Sequence, residues 1–268
     1  MIELEKLVKR FGDLVAVNEI DLSVAKGEFF AVLGPNAAGK TTTIKMLVGL
    51  IKPTSGFARV GGWDVEKDPI EVRRRLAYVP DFPFLYDKLT PVEFFRFTGQ
   101  LFLMDDNAIE DSTRDLIPRF ALEPYLNLPI ESLSHGTKQR IAIVSALMHA
   151  PELFVLDEPM VGLDPHHQWI LKEVLKERTR EGMTVFLSTH QLSVAEEMAD
   201  RIGIIHNGRL AAVGTAEELR DQSGSGGALE ETFLILTREE SSVTIERERL
   251  QGQQSGHDDF ELVNDADE

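Results

Sequence analysis

Residues 29–42 read FFAVLGPNAAGKTT, an apolar run that leads into a glycine-containing loop. The run Phe29–Leu33 contains no polar residue, and a short run of this kind predicts a buried central strand. Beyond the loop, Thr42 to Leu50 carries apolar residues at helical spacing, with Gly49 where a helix would end. This stretch therefore predicts a strand, a loop and a helix in succession, the opening unit of an α/β fold.

The loop itself has the pattern of a phosphate-binding loop. Residues 34–41 match GxxxxGK(S/T) and lie between the predicted strand and helix, which is the context the pattern requires. In such a turn the backbone N–H groups converge on phosphate at the positive end of the helix. Lys40 adds a positive charge there, and the Thr41 hydroxyl is offered to Mg²⁺. The loop predicts a magnesium nucleotide as ligand, held by Gly34, Pro35, Asn36, Ala37, Ala38, Gly39, Lys40, Thr41 and Thr42.

One residue of the loop is unusual. Ala37 stands where many such loops carry glycine. A Cβ atom at that position is tolerated only if φ stays negative, so we expect a negative φ at Ala37.

Composition restricts the class of protein. The chain has 268 residues, enough for one large or two small domains, and no apolar stretch approaches the roughly 18 residues of a membrane-spanning helix. It starts without the pattern of a secretion signal and has no cysteine, so we expect cytoplasmic residence. The formal net charge of -17 argues against binding to nucleic acid or to anionic lipid.

Five segments predict how the rest of the chain is organised. Residues 2–33 alternate in a strand-like pattern, whereas residues 83–150 have aromatic and apolar residues at helical spacing. Leu153–Leu156 and Thr184–Ser188 are strand-like and flank a helical stretch, Gln168–Glu181, which predicts a parallel crossover.

Sequence composition also suggests boundaries near the C-terminus. Two strand-like runs meet at Asn207-Gly208, a hairpin signal because both residues tolerate positive φ. We predict one domain over residues 1–222, with a helical subdomain at about 83–150. A glycine-serine linker and a short helix follow at residues 223–238. Residues 239–268 are acidic and polar, and predict a disordered tail.

Several motifs occur in the order found in one family. Residues 133–140 (LSHGTKQR) are similar to a signature sequence, 153–158 (LFVLDE) to a Walker B strand, 162–164 (GLD) to a D-loop, and His190 to a switch histidine. With the phosphate loop, this set resembles the ATP-binding subunits of ABC transporters over roughly Ile2 to Thr237. The resemblance implies a P-loop cassette with a mixed or parallel core sheet, an N-terminal antiparallel β subdomain and an inserted helical subdomain.

The resemblance also implies roles for residues of an ATP site. Asp157 would hold Mg²⁺ with Thr41, Glu158 would be the general base, and Lys40 and His190 would contact the γ-phosphate. An apolar strand ends at Asp157 and Glu158, where ligands bind in open α/β sheets; without that strand the pair would suit a solvated loop. Phe11 is where the family stacks an aromatic ring on adenine, although it also suits a core position.

The signature segment implies a dimer. Ser134 is a good helix N-cap, and with Gly136 it would leave exposed N–H groups as a second anion site. In the family this segment contacts the γ-phosphate bound by the opposite subunit, so the partner would be an identical or a paralogous subunit. His135 and Thr137 depart from the common Leu-Ser-Gly-Gly-Gln form.

A further departure lies at Asp81, where the family usually has a glutamine that touches Mg²⁺ and the attacking water. A carboxylate can still take a metal-bound water, but its charge and shorter reach alter the site. We therefore place Asp81 with Thr41 and Asp157 as a metal-site residue.

The predicted partners follow from the resemblance. Residues 227–237 are similar to the short C-terminal helix of type-2 exporters, whose permease is a separate polypeptide, although any terminal helix could look alike. The chain would then lie on the cytoplasmic face of the membrane and drive export, its permease docking near the aromatic residues of 82–97. Two alternatives stay open, a regulatory cassette with little hydrolysis and a soluble ABC ATPase outside transport.

Overall fold

The computed structural model describes residues 1–222 and 229–237. The chain divides into two compact units, Met1–Glu217 and Glu218–Glu268. The predicted linker at residues 223–228 and the predicted acidic tail at residues 239–268 lie outside the described residues. Residues 229–237 are helical, and none of the described helices has the length and apolarity that crossing a membrane demands.

The N-terminal part of the chain forms an antiparallel sheet. Its strands are β1 (Ile2–Phe11), β2 (Leu14–Val24), β4 (Ser55–Val60) and β5 (Trp63–Asp64), in the order β2-β1-β4-β5. Alternate residues of β2 are buried near its end, as expected for a sheet with one face against a core. This sheet corresponds to the predicted N-terminal β subdomain.

A second, six-stranded sheet forms the centre of the first unit. Its strands are β3 (Phe29–Leu33), β6 (Leu76–Val79), β7 (Leu153–Asp157), β8 (Thr184–Thr189), β9 (Arg201–His206) and β10 (Arg209–Gly214). The order is β10-β9-β3-β8-β7-β6, and only the β9–β10 pairing is antiparallel. Every residue of β3, β7 and β8 is buried, which explains the apolar run of β3 and the apolar residues in succession within β7 and β8. The predicted mixed α/β sheet is confirmed.

Helices pack against this sheet, and four of them, α3 to α6, form most of the region between β6 and β7. They are α1 (Lys40–Leu47), α2 (Pro69–Arg75), α3 (Pro91–Leu101), α4 (Asp106–Thr113), α5 (Leu116–Arg119), α6 (His135–Leu147), α7 (Pro165–Arg180), α8 (Leu192–Met198) and α9 (Ala216–Gln222). The apolar side chains of α3, α5 and α6 share one buried cluster with β7, which joins the helical region to the sheet. The apolar spacing within residues 83–150 also predicts a helix over Leu116–Leu122, but the helix there ends at Arg119.

The register of the parallel strands brings their carboxyl ends to one edge. Leu33 pairs with Thr189, Asp157 with Ser188, and Val79 with Leu156. The loops that follow β3, β6, β7 and β8 therefore leave the sheet side by side, where open α/β sheets bind their ligands.

Candidate active site

The phosphate loop joins β3 to α1, and two of its glycines are required by close backbone contacts. A Cβ atom on Gly34 would lie 2.4 Å from the carbonyl oxygen of Ile205. Gly39 has φ +110°, and a Cβ atom there would lie 2.7 Å from the carbonyl oxygen of Ala16. The loop is thus held between the β9–β10 end and the β1–β2 hairpin, at distances that only glycine allows.

The expected negative φ at Ala37 is wrong. Its φ is +64°, in the left-handed region that a Cβ atom disfavours. Neighbouring hydrogen bonds hold the turn in this conformation: the Ala38 amide donates to Pro35 O (3.2 Å), and the Gly208 amide donates to Ala38 O (2.9 Å). The surroundings impose the conformation, and the chain meets it with the smallest side chain that has a Cβ, at a cost of about 1 kcal/mol.

The Lys40 ammonium lies inside this loop. Its Nζ donates to Gly34 O at 2.6 Å and to Pro35 O at 3.1 Å, and lies 3.7 Å from the carboxylate of Glu158. Burial lowers the pKa of Lys40, an effect opposed by the nearby carboxylates of Glu158 and Asp157. Helix α1 begins at Lys40 with no side-chain cap and no acidic residue in its first turn. The positive end of the helix is therefore free to receive an anion.

A cavity of about 340 Å³ opens over the loop. That volume is within the range of small-ligand pockets, about 300–1,000 Å³. Phe11, 51 % exposed, forms one wall of the cavity, so it is not a core residue of the first sheet. The other lining residues are Leu14, Ala16, Asn36, Ala37, Ala38, Gly39, Lys40, Thr41, Thr42, Asp81 and Glu158. The sequence did not single out Leu14 or Ala16, whose part in the cavity depends on how the β1–β2 hairpin packs on the loop.

Asp157 is a buried carboxylate that lacks a partner. Its exposure is 0 %, and among the described residues no hydrogen-bond donor reaches either oxygen. Burying an isolated carboxylate is costly unless a cation or donor compensates it. No group of three or more His, Asp or Glu side chains in residues 1–222 and 229–237 could hold a metal ion by itself. The buried carboxylate of Asp157 fits Mg²⁺, which binds one or two carboxylates together with phosphate oxygens and water.

Glu158 and His190 form a hydrogen-bonded pair beside Asp157. His190 Nδ1 and a Glu158 carboxylate oxygen are 2.9 Å apart. The Glu158 backbone has φ +49°, and its amide donates to Ser188 O at 2.9 Å. A non-glycine residue held in this strained region at a sheet edge is typical of functional sites. The Glu158 carboxylate lies 3.7 Å from the Lys40 ammonium, at the phosphate loop.

Asp81 follows β6 and lines the same cavity. One of its carboxylate oxygens accepts from the Phe82 amide at 2.8 Å, which leaves the other free to bind water. We expect Asp81→Ala to lower the rate of ATP hydrolysis and to raise the Mg²⁺ concentration needed, each by about 10-fold or more, as for outer-shell metal partners.

Steady-state phosphate release over a Mg²⁺ titration measures both effects. Asp81→Asn keeps the size of the side chain and removes its charge, so it separates the two contributions. Unchanged rate and unchanged Mg²⁺ dependence in Asp81→Ala would refute a functional Asp81.

The signature segment lies at the N-terminus of α6. Ser134 caps this helix, its Oγ accepting from the Thr137 amide at 3.3 Å, as predicted. A Cβ atom on Gly136 would lie 2.6 Å from Gly162 O, so the signature segment is in close contact with residues 162–164 of the same chain. Ser134 and Gly136 do not line the cavity over the phosphate loop within the described chain.

The site combines three features: a phosphate loop at the end of the buried strand β3, the helix α1 without a side-chain cap, and the buried carboxylate of Asp157 two strands away in the sheet. Together these features define a P-loop NTPase. The family model described as "ABC transporter" matches residues 17–161, and the chain belongs to that family. It is an ATPase of the ABC class, and ATP is its nucleotide.

Known proteins resemble the chain over most of its length. It is 35 % identical over 245 residues to the linearmycin resistance ATP-binding protein LnrL of Bacillus subtilis (strain 168), covering 89 % of this chain and 79 % of that protein. The solved ATP-binding subunit of an ABC transporter is 34 % identical, with a TM-score of 0.84 over 88 % of this chain and 99 % of that one. The cassette MJ0796, solved as a post-hydrolysis dimer with ADP and Pi, is 25 % identical, with a TM-score of 0.74 over 80 % of this chain and 98 % of that one.

Proposed function

We propose that the chain is the ATP-hydrolysing subunit of an ABC exporter, acting as a dimer on a separate membrane permease. The observation that carries this proposal is the buried carboxylate of Asp157, which no donor of the described residues reaches, beside the Glu158–His190 pair and the Lys40 loop. Together these groups supply a metal ligand, a base and phosphate donors at one sheet edge, the set that ATP hydrolysis needs.

The chemistry follows from what each side chain can do. Lys40 and the first-turn amides of α1 hold the phosphates, and Asp157 with the Thr41 hydroxyl would hold Mg²⁺, which neutralises phosphate charge when bound. Glu158 takes the proton of the attacking water, and His190 fixes the orientation of that carboxylate through its 2.9 Å contact. Phe11 offers its exposed ring to the adenine.

The dimer explains the position of the signature segment. Ser134 is exposed, and neither Ser134 nor Gly136 lines the cavity over the phosphate loop in the described part of the chain, which supports a phosphate supplied by another subunit. The similarity to a cassette solved as a dimer supports this arrangement. The partner is a second copy or a paralogous subunit.

Export and the permease are supported by two observations. The similar protein of Bacillus subtilis is named for resistance to linearmycin, a function that suits removal of a compound. Phe82, Phe84 and Tyr86 expose most of their side chains on the loop after β6. Exposed aromatic residues in a cluster are typical of protein interfaces. We place the permease there, which puts the chain on the cytoplasmic face of the membrane.

Two measurements test the proposal. Purified protein with Mg²⁺ and ATP should release phosphate, more rapidly when the permease is present. A pull-down from detergent-solubilised membranes should recover a membrane-spanning polypeptide. Binding of ATP without phosphate release, even beside the recovered permease, would instead identify a regulatory cassette.

A further inference from the structure

A chain of side-chain hydrogen bonds leads from the exposed D-loop residue Asp164, through the buried Arg140, to the signature serine. Arg140 is 7 % exposed, and its Nη1 lies 2.9 Å from His167 Nε2. His167 Nδ1 lies 2.7 Å from a carboxylate oxygen of Asp164. On the other side, Arg140 Nη2 donates to Thr137 Oγ1 at 3.0 Å, and Thr137 Oγ1 lies 2.9 Å from Ser134 Oγ. We call these five residues the signature relay.

The chemistry of the groups sets the direction of the bonds. A guanidinium has donors only, so Arg140 donates to His167 Nε2, which must be unprotonated. The proton of the neutral imidazole is therefore on Nδ1 and is donated to Asp164. The D-loop carboxylate thus fixes both the tautomer and the ring orientation of His167.

The relay continues towards Ser134. Thr137 Oγ1 accepts from Arg140 and lies 2.9 Å from Ser134 Oγ, a contact in which the geometry allows either hydroxyl to donate. Ser134 Oγ also accepts from the Thr137 amide at 3.3 Å. When Thr137 is the donor in the 2.9 Å contact, both acceptor positions of Ser134 Oγ are used and its own hydroxyl hydrogen points outward, where Ser134 is exposed.

We propose that the signature relay makes Thr137, Arg140 and His167 positioning residues for the Ser134 hydroxyl, which it presents as a donor to phosphate on the partner subunit. This inference rests on the proposed ATP-bound dimer. It also gives the departure from the common signature sequence a physical role. Thr137, where the common form has glutamine, supplies a short hydroxyl that fits between the buried guanidinium and the serine. Bonds in such a chain polarise one another, so the charge of Arg140 strengthens the outward donor.

Two substitutions at one position test the relay. Thr137→Val keeps the shape and removes the hydroxyl, whereas Thr137→Ser keeps the hydroxyl. In a Glu158→Gln background that does not turn over ATP, sedimentation velocity with Mg²⁺ and ATP measures dimer formation. We expect Thr137→Val to weaken the dimer by about tenfold, the effect of losing one hydrogen bond to a charged group, and Thr137→Ser to restore it.

Substitutions at the far end of the relay separate positioning from folding. His167→Phe removes both contacts of the ring, whereas His167→Gln can still accept from Arg140. We expect the glutamine variant to form the dimer better than the phenylalanine variant. When Glu158 is kept, so that ATP is hydrolysed, each variant with a weakened dimer should have a lower kcat. The affinity of the monomer for ATP, measured by fluorescent-nucleotide titration, should be unchanged.

The outcomes are distinct. Equal dimer formation by Thr137→Val and the parent, or equal loss in Thr137→Val and Thr137→Ser, would overturn the relay while the dimer itself stands. A thermal midpoint that falls in step with the loss of dimer across all four variants would also overturn it, because the effect would then be structural. If the Glu158→Gln parent forms no dimer with ATP, the proposed function fails and the relay fails with it.

Discussion

Glu158→Gln is expected to lower the rate of ATP hydrolysis by about 10²–10⁴-fold, the usual contribution of a general base. The carboxylate that accepts the proton of water is replaced by an amide that cannot accept it. Binding of ATP should persist, because Lys40 and the loop amides are unchanged, and the nearby negative charge that repels phosphate is removed. Phosphate release and equilibrium nucleotide binding, measured on the same preparation, separate the two effects.

A glutamate outside the site provides the control for that substitution. Glu181 follows α7, more than half of its side chain is exposed, and it is paired with Arg178 away from the cavity. Glu181→Gln should therefore hydrolyse ATP at the parental rate. Hydrolysis by Glu158→Gln within about threefold of the parental rate would contradict the role of Glu158 as base.

Asp157→Asn is expected to act in opposite directions on activity and on stability. Removing the metal ligand should lower Mg²⁺-dependent hydrolysis by about 10²-fold or more, because the phosphate charge loses its main counter-ion. The nucleotide-free protein should become more stable, because a fully buried carboxylate with no donor among the described residues is replaced by a neutral group. We expect a thermal midpoint a few degrees higher, about 2–4 °C for each kcal/mol.

Glu152 lies just before the opposite end of β7 and serves as the matched control. Its carboxylate is partly exposed and contacts Lys26 and Arg75. Glu152→Gln removes the same charge from the residue before that strand without touching the site, so neither the rate nor the Mg²⁺ dependence should change. A thermal midpoint that falls in Asp157→Asn would show that the buried charge already has a stabilising partner.

Strand and turn patterns in the sequence were sufficient to predict the sheet that positions the site. The run at residues 29–33 and the strands Leu153–Leu156 and Thr184–Ser188 are buried parallel neighbours of the central sheet. The hairpin at Asn207-Gly208 is confirmed, with φ +48° and +74°. These features depend on local composition and on the spacing of apolar residues along the chain. Both can be read from a single sequence.

Helix ends were predicted less well, because they depend on capping. Helix α7 starts at Pro165, three residues before the predicted start, and Asp164 caps it by accepting from the His167 amide. The Asp164-Pro165 pair is itself a signal for a helix start, whereas the predicted start depends on the apolar pattern alone. The stretch at Leu116–Leu122 forms only a four-residue helix, since Ala121 takes φ +48° and breaks it.

Contacts between distant segments explain what the sequence could not show. The positive φ of Ala37 results from a loop held by Gly208, far away in the chain. The exposure of Phe11 and its place in the cavity depend on the β1–β2 hairpin packing over that loop. The link from Asp164 through His167 to Arg140 depends on α6 meeting the start of α7. The roles of the site residues, and the predicted domain boundaries, stay predictions.

The most direct test of the central claim is the sedimentation velocity of Glu158→Gln with Mg²⁺ and ATP. If two subunits enclose the nucleotide between the phosphate loop of one and the signature helix of the other, ATP should convert the monomer into a dimer, and ADP should not. A protein that binds ATP yet remains monomeric at every concentration, with its permease present or absent, would contradict the shared site.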